Sequence, residues 1–326
     1  MIAFLAPGQG AQKPGMLTPW LDLPGLAERA APMSDAAELD LVRLGTTAEA
    51  DEIKDTAVTQ PLVVATALLA AQALPDGALP ANAPTAGHSV GELAAAALAG
   101  VIDPVTAVGL AGRRGRAMAA CCAVTPTSMA AVLGGDTDTV LAALAERNLV
   151  GANVNGGGQI VAAGPLEAIA ALAEEPPGGA SRVIPLSVAG AFHTEYMAGA
   201  EDDLAAAVAD LTPADPTRPL LTNSDGSVVA SGARYVSLLV RQLTRPVRWD
   251  ACMATLVALG VTGVIEFPPA GTLTGLVKRE LKGVATLAVK TPDDLAKATA
   301  FIAEHTQPAT TDPTTSTNDE PRLKDQ

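Results

Sequence analysis

Residues 85–94 read TAGHSVGELA, a run in which Ser89 stands between Gly87 and Gly91 with His88 and Val90 as its immediate neighbours. A loop at Pro84 precedes it and a helix-forming run over 90–99 follows. Gly-x-Ser-x-Gly between a strand and a helix marks a tight turn that lifts a hydroxyl clear of a sheet edge. Small neighbours make the turn feasible. The helix that starts beneath the serine points free N–H groups and its dipole at any oxyanion formed there. The competing reading is a plain glycine-rich turn with Ser89 as helix N-cap, since the chain holds 30 glycines.

The pattern on either side of this turn predicts the fold. Residues 2–6 read as a short buried strand that leads into the loop PGQGAQKPG. A helix is expected over 59–74 with Pro61 in its first turn, and another over 103–120 with Asp103 as N-cap and Pro104 next. Strands alternating with helices at this spacing predict a parallel sheet. From 128 the scale shrinks. A strand at 128–133, a helix at 136–147, strands at 150–154 and 159–163, a helix at 165–173 and a strand at 181–187 give a ferredoxin-like β-α-β-β-α-β series. The larger pattern then resumes, with helices at 194–210, 232–243, 248–259 and 272–281 and strands near 219–222, 261–267 and 284–289. The expected fold is α/β. A hydrolase-like large domain with a central, mainly parallel sheet (1–126 and 189–304) carries an inserted ferredoxin-like small domain (127–188). Residues 305–326, rich in Pro, Thr and Asp, read as a disordered tail.

Composition excludes several classes. Of 326 residues 48% are hydrophobic but only 2% aromatic, so the core must be built from aliphatic side chains. A net charge of −14 argues against a nucleic-acid surface and against an anionic membrane. Cys121, Cys122 and Cys252 show neither disulfide-framework nor metal-ligand spacing, which fits a reducing compartment. No signal peptide and no apolar run of ~18 residues is found. A cytoplasmic protein is expected.

A serine nucleophile needs a base, and the chain has three histidines. His305 falls at the start of the expected tail. His88 is adjacent to Ser89, and successive extended residues point opposite ways. His193, in VAGAFHTEYM, lies at a loop-to-helix junction of the larger domain and is the candidate base. Asp103, Asp136 and Asp138 lie between serine and histidine, but none has a clear claim to be a triad acid. A backbone carbonyl could orient His193 instead.

Seven ordered motifs carry a resemblance: PGQGAQ, GHSVGE, RRGRAM, ANVNGGGQIVAAG, GAFH, RQLTRPVRW and EFPPAGTLTGL. Over residues 1–300 the chain resembles the malonyl-CoA:acyl carrier protein transacylases and the acyltransferase domains of polyketide synthases. The resemblance implies an acyl ester on Ser89, His193 as base, and the backbone carbonyl of Gln242 holding that histidine. It places the oxyanion between the backbone N–H groups of Gln9 and Val90. A malonyl carboxylate calls for a planar guanidinium. Arg113, Arg114 and Arg116 share one helix, and the family pattern Arg-Gly-x-x-Met selects Arg114. Phe192 in Ala-Phe-His implies malonyl over methylmalonyl, although Gly190 stands where many polyketide malonyl domains have His. Asn153, Asn155 and Gln159 match a polar strand facing the cleft, or serve turn chemistry around 156–158.

The implied reaction is ping-pong transfer of malonyl from malonyl-CoA to the phosphopantetheine thiol of holo-acyl carrier protein in fatty acid synthesis. No cofactor of the protein's own and no metal is implied, and the chain is expected to be a monomer. Arg241, Arg245, Arg248, Lys278, Arg279 and Lys282 are candidates for a basic rim that meets the anionic carriers. The alternatives are a polyketide-pathway acyltransferase, a serine thioesterase or hydrolase using the same Ser–His pair, and a non-enzymatic scaffold.

Overall fold

A computed structural model of the chain describes residues 1–75 and 78–306. In order the elements are β1 (Ile2–Ala6), α1 (Thr18–Leu21), α2 (Leu26–Ala37), α3 (Leu41–Thr46), α4 (Thr56–Gln72), β2 (Thr85–Gly87), α5 (Gly91–Leu98) and α6 (Pro104–Cys122). Then come β3 (Thr127–Gly134), α7 (Thr137–Glu146), β4 (Val150–Gly156), β5 (Gln159–Pro165), α8 (Leu166–Glu174) and β6 (Ala180–Pro185). The chain continues with α9 (Ala198–Val208), α10 (Gly232–Arg241), β7 (Val247–Arg248), α11 (Trp249–Ala258), β8 (Gly263–Glu266), α12 (Thr272–Glu280), β9 (Ala285–Ala288) and α13 (Leu295–Thr306).

Two sheets result. The first is wholly parallel, in the order β2-β1-β8-β9. Each residue of β1 is buried, as a parallel strand covered on both faces requires. The second runs β6-β3-β5-β4-β7. Its first four strands pair antiparallel, and β7 joins β4 in parallel. Residues 247–248 therefore stitch the smaller sheet to the segment that follows α10.

The largest apolar cluster gathers α2, α4, α5 and α6 around β1, with Phe4, Trp20, Leu62 and Tyr235 among its buried side chains. A second cluster on the other face of the parallel sheet is centred on Trp249, Met253 and Leu276. A third, with Val132, Leu144, Ile160 and Leu172, fills the space between the antiparallel sheet and its two helices.

Several expectations need correction. The helix expected at 59–74 begins at Thr56, because the Asp55 carboxylate accepts from the Ala57 N–H at 2.8 Å and starts the helix a turn earlier. Pro61 is thus inside α4, where it gives up one backbone bond. The helix expected over 194–210 is a 3₁₀ turn at Glu195–Met197 followed by α9. The strand near 219–222 amounts to two isolated bridges, Thr85 to Leu220 and Leu221 to Val228. His305 is not in a tail: it lies in the last turn of α13, its Nδ1 2.8 Å from Thr262 Oγ1. The rest of the expected tail, 307–326, lies outside the described residues. The motif EFPPAG serves structure. Glu266, fully buried, accepts from the N–H groups of Gly271, Leu273 and Thr274 and so caps α12.

Candidate active site

Ser89 sits at φ 53°, a left-handed conformation rare for a residue with a side chain. The turn that imposes it depends on its glycines. A Cβ at Gly87 would lie 2.0 Å from the Gly91 backbone, and one at Gly91 2.3 Å from the Ala6 carbonyl oxygen. Gly8 is confined in the same way, since its Cβ would meet the His88 carbonyl oxygen at 2.8 Å. The loop after β1 therefore lies directly against the turn. Neither Gln9 nor Val90 donates its backbone N–H to a protein acceptor among the described residues.

The Ser89 hydroxyl is 2.7 Å from His193 Nε2, and His193 Nδ1 is 2.7 Å from the backbone carbonyl oxygen of Gln242. A carbonyl only accepts, so Nδ1 carries the proton and Nε2 offers its lone pair to the serine hydroxyl. His193 itself is 3% exposed and held at φ 60°. Burial foremost, then the Arg114 guanidinium, push its pKa down to about 3. It is neutral across the physiological range and competent to accept a proton. Gly190 has a packing reason: a Cβ there would lie 2.6 Å from Cys122 Sγ and 3.0 Å from Thr127 Oγ1.

Of the three arginines on α6, only Arg114 enters the site. Arg113 pairs with Asp203 and Arg116 with Glu38, all four side chains partly exposed. Arg114 is 2% exposed and donates to Gln60 Oε1 (2.7 Å), Gln242 Oε1 (2.9 Å) and Ser89 Oγ (3.3 Å). Burial lowers its pKa to about 10, partly offset by Glu92, which leaves it charged. Gly115 lets α6 come this close to α4, because a Cβ there would lie 2.6 Å from the Thr56 carbonyl oxygen.

These groups open onto a cleft of about 500 Å³ between the two sheets. Gln9, Val90 and Phe192 line it on one side, and Asn153, Asn155 and Gln159 on the other. His88 does turn away from Ser89: its Nε2 is 2.9 Å from Asn155 Oδ1, which ties the turn to β4. The expected rim is dispersed. Arg241, Arg245 and Arg248 line a separate cleft of about 390 Å³, and Arg248 is paired with Asp250. Arg279 lies beside Gly157.

Sequence reasoning missed the layer beneath. Glu92, 1% exposed, accepts from the Asn223 N–H (2.6 Å) and from Gln242 Nε2 (2.5 Å). Asn223 Oδ1 receives the Ser89 N–H at 2.8 Å, and its Nδ2 donates to the Gly87 carbonyl at 2.8 Å. The signal for Glu92 was its place in GHSVGE, a carboxylate in the first turn of a helix otherwise made of Gly, Ala and Leu.

A left-handed serine on a strand–turn–helix, a histidine oriented by a carbonyl and a buried arginine lie together, an arrangement whose chemistry suits acyl transfer. Residues 3–314 match the acyl transferase domain family. The malonyl CoA-acyl carrier protein transacylase of Mycobacterium tuberculosis is 59% identical over 297 residues, 90% of this chain and 98% of that protein. The crystal structure of the Mycobacterium tuberculosis protein superposes with a TM-score of 0.88 at 58% identity, covering 92% of this chain and 99% of that one. A malonyl-transacylase solved in complex with a type II polyketide acyl-carrier protein gives a TM-score of 0.86 at 31% identity, over 92% of this chain and 99% of that one. The chain belongs to the malonyl CoA-acyl carrier protein transacylase family, and it is an acyltransferase.

Proposed function

We propose that this protein moves the malonyl group of malonyl-CoA to the phosphopantetheine thiol of holo-acyl carrier protein, by a ping-pong reaction through a malonyl ester on Ser89. The carrying observation is convergence on one hydroxyl: His193 Nε2 at 2.7 Å and Arg114 Nη2 at 3.3 Å. Arg114 pairs with the malonyl carboxylate and presents the thioester to Ser89. Ser89 Oγ attacks the carbonyl carbon while its proton passes to His193 Nε2. The oxyanion is held by the backbone N–H groups of Gln9 and Val90. The C–S bond breaks and the imidazolium returns the proton to the departing CoA sulfur. The carrier thiol then repeats the sequence in reverse, again giving its proton to His193. The Gln242 carbonyl keeps the imidazole in register throughout.

The depressed pKa of His193 fits this scheme. Part of the depression comes from Arg114. A substrate carboxylate on that guanidinium cancels the repulsion, so the base strengthens when substrate is in place. Phe192 fills the space beside the malonyl α-carbon and disfavours an added methyl. The proposed reaction calls on no cofactor of the enzyme's own, since the thiols it uses belong to CoA and to the carrier. The large, parallel-sheet part with its hydrolase-like turn carries the reacting groups. The unit at 127–188 is a ferredoxin-like insert, a reading supported by its β-α-β-β-α-β order and β6-β3-β5-β4 pairing. We place the enzyme in the cytoplasm, as a monomer serving fatty acid synthesis. Among the described residues no helix is long and apolar enough to cross a membrane.

The test is intact-protein mass after brief exposure to malonyl-CoA, with and without holo-acyl carrier protein. A malonyl adduct is expected, absent in Ser89→Ala and discharged onto the carrier. An adduct lost to water without the carrier would point to a thioesterase and overturn the transferase reading.

A further inference from the structure

Glu92 is buried one turn into α5 from Ser89, and the proposed reaction gives it no task. Its environment is specific. Oε1 accepts from the Asn223 N–H at 2.6 Å, and Oε2 accepts from Gln242 Nε2 at 2.5 Å. The other end of that amide, Gln242 Oε1, accepts from Arg114 Nη2 at 2.9 Å. One primary amide thus bridges a buried carboxylate and a buried guanidinium, with its donor toward the anion and its acceptor toward the cation. Reversed, it would point N–H groups at Arg114 and a carbonyl at Glu92, so the two charges fix its orientation. The backbone of this same Gln242 holds His193.

The other groups around Glu92 do not compete for the charge. Tyr235 on α10 donates its hydroxyl to the Glu92 and Leu221 carbonyl oxygens, and Cys252 on α11 donates its thiol to the Thr222 carbonyl. Burial, reinforced by Glu92, pushes both pKa values upward, so both stay neutral. Arg114 on α6 is the cation that faces this network, and His193 beyond it is neutral.

We infer that Glu92 is a positioning residue and the resident counter-ion of Arg114: it orients the Gln242 amide between them, and it takes a proton from solvent when a substrate carboxylate pairs with the guanidinium. This rests on the reading of Arg114 as the carboxylate receptor. The empty site balances one anion against one cation. A malonyl carboxylate makes two anions around a single guanidinium in a buried space, and one of the two must be neutralised. Glu92 is the one prepared for it, since burial already pushes it up to about 7. Malonyl binding should therefore be proton-coupled near neutral pH, whereas binding of an acyl group without a carboxylate should not.

The experiment uses the full chain carrying Ser89→Ala, which binds without acylation. Calorimetric titration with malonyl-CoA in two buffers of unlike ionisation enthalpy, at pH 7.5, counts the protons exchanged. Net uptake is expected for malonyl-CoA and none for acetyl-CoA, which shares its phosphates. The Kd for malonyl-CoA should weaken by up to about tenfold per pH unit as pH rises above neutrality. Adding Glu92→Gln should remove both the uptake and the pH dependence, and adding His193→Ala should remove neither. Preferential binding of malonyl-CoA without proton uptake, or uptake that persists in Glu92→Gln, overturns the role of Glu92 while leaving Arg114 as receptor. Equal binding of the two thioesters overturns the receptor reading itself. If Glu92→Gln does not fold, the absence of uptake with Glu92 intact still overturns its role.

Discussion

Where the parallel sheet turns into α5, a Cβ added at Gly87 or Gly91 would run into backbone, at 2.0 and 2.3 Å. In the antiparallel sheet, a Cβ at Gly151 or Gly164 would meet the ends of the Leu141 and Leu149 side chains, at 2.3 and 2.6 Å. Side-chain ends can rotate away, but a hydrogen-bonded strand and helix cannot. The two walls of one cleft therefore differ in what they tolerate. The hydroxyl that must be placed to a fraction of an ångström is mounted on the wall that cannot give. The wall that can adjust supplies amides, Asn153, Asn155 and Gln159, and no group that moves a proton.

Gly91→Ala should cost about 4 kcal/mol or more, whereas Gly151→Ala should cost about 1–2 kcal/mol. Urea denaturation of both variants measures this, and equal losses would mean that the two walls yield alike. Arg114→Ala comes next. It should reduce kcat/KM for malonyl loading by about a hundredfold, near 3 kcal/mol, and leave the slow loading of acetyl-CoA nearly unchanged. A matching fall for both donors would mean that Arg114 only supports the fold.

A smaller effect lies in pH. Below the ordinary 6.5 an unfolded His193 takes a proton that the folded one, held at about 3, refuses, so its contribution to stability is lost as pH falls below 6.5. Folded Glu92, raised from 4.5 to about 7, keeps a proton that the unfolded chain releases. Its contribution is full below 4.5 and lost as pH rises through 7. Between 4.5 and 6.5 the two slopes oppose each other. His193→Gln removes one, so its stability relative to wild type should rise by about 1 kcal/mol per pH unit on acidification through that window. Denaturation curves that stay parallel from pH 6.5 to 4.5 would count against a neutral His193. Smallest is Asn155→Ala, which removes the partner of His88 from the adjustable wall. It should raise KM for the carrier protein about fivefold, near 1 kcal/mol, with kcat little changed. A collapse of kcat instead would show that the two walls share the work of positioning.

The sequence exposed what depends on local rules. Gly87 and Gly91 around Ser89, Asp103 before Pro104 on α6, and the alternation over 128–187 follow from turn, cap and period. Where a partner was distant, the reading stopped. Nothing near residue 114 separates Arg114 from Arg113 and Arg116. The choice is made by Gln60 and Gln242, on other elements, with the resemblance as its only early guide. Asn223 is silent because its contacts with Ser89 and Glu92 lie more than a hundred residues away, and Glu92 offers only its place in GHSVGE, without the partner that explains it. The helices at 18–46 and α13 go unread for lack of a sustained apolar period, and His305, in the last turn of α13, is taken with the Pro/Thr-rich segment that follows it.

β1 lies between β2 and β8, so the first strand made is completed only by one of the last. Ser89 waits in the same way for Asn223 and Gln242. On the ribosome, the turn emerges long before the groups that anchor its backbone and orient its base. In the proposed reaction, a nascent or truncated chain ending short of Gln242 holds Ser89 without the carbonyl that orients His193, so acylation has to wait for that segment. The cost is kinetic: contacts of such long sequence separation form slowly and leave an apolar strand with an open edge, a natural client for a chaperone.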